Sequence, residues 1–360
     1  MISHPRFVAP YYILGTLPSA FSNLESLVGL WVEHNELTGS LPSEYGQLIN
    51  LKYLCANNNG LNGTLSNNLG VLDHIEKLAL GNNAFSGVLP TELGNITSLM
   101  NLTLNQNGFV GNIPTEYGAL SQLEILDASD NGLIGALPSE YGQLINLKYL
   151  SANNNELNGT LSNNLGVLDR IEKLSLGGNA FSGVLPTELG NMSSLKNLTL
   201  NQNGFVGSIP TEYGALSQLE ILDASNNGLT GALPPELSMA GLLKQLRLLS
   251  NALTGTIPSE YGGLSHLESL SIASNLLDGT LPTHLGLLGA IQEVILGSNS
   301  FSGYLPTEFS KLTNLTDLAV DQNGFVGSIP SQFAALTKLE SLQAKNNALT
   351  VRFITALSPP

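Results

Sequence analysis

An asparagine recurs every 24 residues along almost the whole of this chain, from Asn35 through Asn59, Asn83 and Asn107 to Asn347, and no insertion or deletion breaks the spacing. Fourteen rungs of one period fix the kind of fold available. A 24-residue segment is too short to bury a core of its own, so the segments must stack and share one. Around each rung the pattern is L-x-x-L-x-L-x-x-N-x-[LF]-x-G-x-[LI]-P-x-x-[LY]-G-x-L, seen clearly from Leu195 through Asn203 to Pro210.

Each column of that pattern has a physical reading. L-x-L alternates with period two, which predicts a short strand with one face in the core. The ladder Asn falls where the chain leaves that strand, where its amide can bond the backbone groups a turn leaves unpaired. The Gly four residues later, from Gly39 to Gly327, suits a tight bend with close backbone approach. Proline in the L/I-P step ends strand pairing and fixes φ for the return segment. Phe85, Phe109, Phe181, Phe205, Phe301 and Phe325 replace Leu in adjacent pairs and are read as stacked core rather than as a seat for an aromatic cofactor.

These residues carry a resemblance. The 24-residue unit with its G-x-[LI]-P signature, over about residues 11–350, resembles the plant-type leucine-rich-repeat family, and within it receptor-like ectodomains. The resemblance implies an α/β solenoid: a right-handed leucine-rich-repeat superhelix with a concave parallel β-sheet and a 3₁₀ or irregular convex side. It also implies extracellular or cell-surface recognition. One departure is plain: the family flanks its repeats with cysteine-paired caps, whereas the chain has a single cysteine, Cys55.

The domain reading follows. Residues 1–23 form a degenerate N-terminal partial repeat, 24–350 hold fourteen units, and 351–360 are a C-terminal tail. Residues 39–134 recur as 135–230 with identity at 84 of 96 positions, and a diverged third copy spans 255–350. Ends without caps point to end-to-end association. No signal peptide is visible in Met1–Tyr12, and no apolar run is long enough to span a membrane.

Composition excludes several functions. A net charge of −15 with 13 Lys and Arg is unsuited to nucleic acid, which requires a basic patch. His4, His34, His74, His266 and His284 show no metal-ligand spacing, and no nucleophile, phosphate-loop or zinc motif occurs, so neither an enzymatic role nor a cofactor is expected. The expected function is non-catalytic recognition of a protein, peptide or glycan on the concave face. The alternative is a structural or adhesive element of a wall or matrix, and ice binding is a remote third reading.

The solvent-facing positions of the concave strands are taken as those seven, six, four, two and one residues before each Asn. Large or charged side chains there are the binding candidates: Trp31, Glu33 and His34; Lys52 and Tyr53 with their copies Lys148 and Tyr149; Asp127 with Asp223; and Arg247. The paired copies suit a repetitive ligand. A stripe of glutamates in the P-x-E step, including Glu92, Glu116 and Glu140, is read as a solvated edge. N-x-S/T sequons at Asn62, Asn95, Asn101, Asn158, Asn191, Asn197 and Asn314 are candidate glycosylation sites, with Asn101 and Asn197 on concave strands.

Overall fold

The computed structural model describes residues 12–350. His4, the start of the expected partial repeat and the tail 351–360 lie outside the described residues. Contacts divide the chain into two compact units on either side of Leu144 and Ile145.

In the first unit the L-x-L segments form five strands, Gly29–Trp31, Tyr53–Cys55, Lys77–Ala79, Asn101–Thr103 and Ile125–Asp127. Each pairs in parallel with the next and in register, so that Leu30, Leu54, Leu78, Leu102 and Leu126 form one row. The second unit repeats the arrangement with nine strands, from Tyr149–Ser151 to Ser341–Gln343. The period-two reading holds: from Tyr53–Cys55 to Asp317–Ala319 the central leucine, or Val294 in its place, is buried, and only in the two end strands are Leu30 and Leu342 partly exposed.

After each strand the chain turns through the ladder Asn. Its Oδ1 accepts a backbone N–H of the preceding repeat and its Nδ2 donates to carbonyls of its own turn and of the preceding one. Asn203 accepts from Phe181 at 3.0 Å and donates to Leu176, Leu200 and Asn201 carbonyls at 3.0–3.2 Å. The residue just before the Asn is left-handed, with φ of 52–57° at thirteen non-glycine positions such as Asn58, Gln202 and Ser298. The Asn and Asp residues of that column suit it because their short polar side chains tolerate this conformation better than other L-residues do.

A second parallel sheet, absent from the sequence reading, is present in each unit. Its strands, such as Glu36–Ser40 and Gly204–Gly207, begin directly after the ladder Asn. The Gly that suggests a bend does have φ near 78°, but it lies within or at the end of this strand. The close backbone approach occurs at a different glycine, the one after [LY] in the return segment. A Cβ on Gly94 would stand 2.5 Å from the Glu116 carbonyl oxygen of the next repeat.

The return segments are five-residue 3₁₀ helices, and no α-helix occurs among the described residues. Proline precedes most of them at φ near −60° and ψ near 130°. Where Ser66 and Ser162 replace it, the serine Oγ accepts the N–H of Asn68 or Asn164 at 3.2 Å and caps the turn instead.

The paired phenylalanines are core. Phe85 and Phe109 stack at 6.2 Å, Phe181 and Phe205 at 6.2 Å, and Phe301 and Phe325 at 6.4 Å, all fully buried. The tyrosines of the [LY] column are buried too, and each hydroxyl donates to a proline carbonyl one repeat back: Tyr45 to Pro18, Tyr117 to Pro90, Tyr141 to Pro114, Tyr213 to Pro186 and Tyr261 to Pro234, at 3.1–3.4 Å. Burial pushes the Tyr45 phenol up to about 12 and the other four further.

Candidate ligand-recognition surface

The exposed side of the L-x-L strands carries the candidate site residues. Trp31 is 59% exposed, and its indole lies back over Gly29 of its own strand, at a place where any Cβ would collide with the ring. The indole stacks on Tyr53 of the next strand, with centroids 5.7 Å apart and planes at 23°. Glu76 then locks Tyr53: its two oxygens take the Tyr53 hydroxyl and the Lys52 ammonium, both at 2.8 Å. These bonds hold the Glu76 carboxyl below the usual carboxylate range and raise the pKa values of Lys52 and Tyr53. Trp31, Lys52, Tyr53 and Glu76 therefore form one connected group, and Glu76 is a member that the sequence reading did not single out. Its signal was the Lys52 and Glu76 spacing of 24, which sets opposite charges on neighbouring strands.

Glu33 and His34 lie in the turn after the Trp31 strand. One carboxylate oxygen of Glu33 is enclosed with no hydrogen-bond partner, and His34 has φ of 56°. His34 thus occupies the left-handed turn column rather than a strand position, with its ring Nε2 3.4 Å from the Asn58 amide.

In the second unit Tyr149 is 39% exposed. The counterpart of Glu76 is Glu172, and it pairs with Lys196 at 2.7 Å, where the first copy has Met100. Lys244 and Glu220 repeat that pairing at 2.7 Å. Asp223 and Asp127 hold their own turns: Asp127 accepts the Ser129 N–H at 3.1 Å and its hydroxyl at 2.6 Å, and Asp223 accepts the Ser225 N–H at 3.0 Å. Arg247 lies between Asp223 and Ser271 in the register, and among the described residues its side chain forms no ion pair.

The assumption that every column pointing away from the core faces solvent is corrected. Cys55, Ala79, Ser175, Ser271 and Ala319, four residues before the ladder Asn, are all at least 93% buried, as are Ser129 and Ser225 two before it.

Of the sequons, Asn62, Asn95, Asn158 and Asn191 are exposed, while Asn101 and Asn197 are half-buried on strands. Asn314 donates its amide to the Gly289 carbonyl at 2.8 Å, a bond that attachment of a sugar would strain. The glutamate stripe lies in the 3₁₀ segments, where the carboxylates take the hydroxyl of the preceding Ser or Thr, as Thr115 to Glu116 at 3.3 Å, except at Glu236, which follows Pro235. No group of three or more metal-ligating side chains forms among the described residues.

Two parallel sheets joined by 3₁₀ turns on an asparagine ladder define a leucine-rich-repeat solenoid. A leucine-rich-repeat family model matches residues 170–192 and 218–239. The chain belongs to this family: it is 30% identical to the Leptospira interrogans leucine-rich-repeat protein LIC12759, over 93% of this chain and 82% of that one, with a TM-score of 0.76. It is also similar to the plant peptide hormone receptor RGFR1, solved in complex with RGF2, at 33% identity over 94% of this chain and 58% of that one, TM-score 0.84. The Arabidopsis HAESA ectodomain, solved with an extended IDA peptide hormone, matches at 28% identity over 94% and 61%, TM-score 0.81. The chain thus spans only about three fifths of either plant receptor chain. None of the curated proteins matches by sequence.

Proposed function

We propose that this chain is a non-catalytic recognition module that binds a peptide, protein or glycan through the outward face of its L-x-L strands, the concave face of the family. The observation that carries the reading is the Trp31–Tyr53 stack braced by Glu76 and Lys52. It is a rigid, exposed aromatic platform whose side-chain entropy is already spent, which is the character of an interface anchor. The plant receptors it resembles were solved with peptide hormones, which supports a ligand-binding role and an extracellular or cell-surface location.

The test is substitution on the strand face. Trp31→Ala, Tyr149→Ala and Arg247→Ala, with unchanged circular dichroism, are expected to weaken a ligand selected from peptide and glycan libraries by tenfold or more. Glu212→Gln on the 3₁₀ side is expected to leave it unchanged. Tolerance of all three strand-face changes, combined with sensitivity to the number of repeats, would establish the structural or adhesive reading instead.

A further inference from the structure

Beside the aromatic platform, on the same face of the first unit, lies a polar depression of about 290 Å³, at the small end of ligand pockets. Its floor is small, Ala79 and Gly81, and its walls are amides, among them Asn57, Asn82, Asn101, Asn105 and Gln106, with Lys77 at the edge. Across three consecutive strands the register reads Tyr53, Lys77, Asn101, with neighbours about 4.8 Å apart. Among the described residues Lys77 forms no ion pair, and Asn101 Oδ1 is enclosed with no donor. A ligand that completes this site brings an anion for Lys77, a hydrogen-bond donor for Asn101 and groups that both donate and accept for the surrounding amides.

The duplication repeats the row. In the second unit the same row is Tyr149, Lys173, Asn197 on three paired strands, with Asn153, Gly177, Asn201 and Gln202 at the positions of Asn57, Gly81, Asn105 and Gln106, while Ser175 and Gly178 stand where Ala79 and Asn82 do. In the third copy the chemistry is reversed: Ser269, Glu293, Asp317 and Asp321 stand where Tyr53, Lys77, Asn101 and Asn105 do. Those acids are satisfied internally, Glu293 by the Ser269 hydroxyl at 2.6 Å, Asp317 by Thr316 at 2.8 Å and Asp321 by Gln322 at 3.1 Å.

Resting on the recognition reading above, we propose that the Tyr53–Lys77–Asn101 and Tyr149–Lys173–Asn197 rows are two equivalent sites for uronic-acid residues of an acidic polysaccharide, and that the third copy is not one. A uronate sugar has a carboxylate for the lysine, hydroxyls that donate and accept for the amides, and a C–H face for the tyrosine ring. An acidic peptide offers the carboxylate and backbone amides, but neither sugar hydroxyls nor a pyranose C–H face. A polymer that repeats one chemical group also suits a chain that repeats one site. The net charge of −15 does not oppose this, because at physiological salt fields decay over about 8 Å and the local lysine dominates.

The experiment is calorimetry on the full chain, produced without N-glycosylation because a glycan on Asn101 would occupy the depression. A short oligoglucuronate is the ligand, and a neutral cello-oligosaccharide and an oligoglutamate of equal charge are the comparators. Two equivalents of oligoglucuronate are expected to bind, falling to one in Lys77→Gln or Lys173→Gln, to none in the double variant, and staying at two in Lys77→Arg. Binding to the comparators is expected to be at least tenfold weaker. Unchanged stoichiometry in the double variant overturns the proposal. So does oligoglutamate binding of equal strength with the same lysine dependence, which would make the rows a surface for acidic peptides. Failure here while another ligand still depends on Trp31 and Tyr149 leaves the recognition reading standing, whereas a ligand insensitive to every strand-face change overturns that reading.

Discussion

Asn275→Ala is the perturbation that most directly measures the ladder. Asn275 is the rung best shielded from water, 7% exposed. Its Oδ1 accepts the Leu253 N–H at 3.0 Å, and its Nδ2 faces the carbonyls of Leu248, Ile272 and Ala273 at 3.0–3.1 Å. The three carbonyls keep other donors after truncation: Leu248 keeps Asn251, Ile272 keeps Asn299 and Ala273 keeps the Ser250 N–H. Losing the amide hydrogens therefore costs only the ordinary net value, about 1 kcal/mol for each of two. Leu253 is different, because its buried N–H is left without an acceptor, at about 1–3 kcal/mol. The total is about 3–5 kcal/mol.

Repeat arrays open locally, so the assay is amide hydrogen exchange rather than a single melting transition. Protection of the Leu253 amide is expected to fall a hundredfold or more, since about 1.4 kcal/mol is a factor of ten. Asn275→Asp is expected to be worse than Ala at neutral pH, because a carboxylate would face three carbonyl oxygens. Unchanged protection at Leu253, or a stability loss under about 1 kcal/mol, would refute the view that the ladder bonds hold adjacent repeats together.

Other expectations follow from the same geometry. Gly94→Ala places a Cβ 2.5 Å from the Glu116 carbonyl oxygen and is expected to cost 2 kcal/mol or more, roughly, as overpacking does, whereas Gly263→Ala meets nothing within 4 Å and is expected to be neutral or stabilising by up to about 1 kcal/mol; paired denaturant titrations compare them. Ser298→Gly relieves a non-glycine residue at φ 57° and is expected to gain a few tenths to about 1 kcal/mol, read by the midpoint in urea. Alkaline stability is set by the buried tyrosines. Their folded pKa values lie above the unfolded value near 10, so the stability they confer is complete below pH 10 and falls as pH rises beyond it, by up to about 1.4 kcal/mol per pH unit for each tyrosine. Urea titrations from pH 9 to 12 should show that decline, and Tyr→Phe at positions 45, 117, 141, 213 and 261 should flatten it. A wild-type curve flat to pH 12 would refute the assignment.

By itself the sequence determined the repeat, the first strand and its inward leucines, the role of the ladder Asn and the core position of the phenylalanines. These are legible because translation by 24 residues puts every column in one environment fourteen times, so a single local argument is confirmed by repetition. Contacts between neighbouring repeats decided the rest. The second sheet escaped notice because its strand contains a glycine at positive φ, which reads locally as a bend and is held extended only by the parallel strand beside it. The glycine of the 3₁₀ segment is explained only by the carbonyl of the next repeat, and the tyrosine column only by a proline one repeat back. The same limit applied to the candidate surface. Trp31 and Tyr53 could be named from their columns, but their stacking, the bracing by Glu76 and the floor of small residues come from side chains 22–48 positions apart in sequence and one or two strands apart in space.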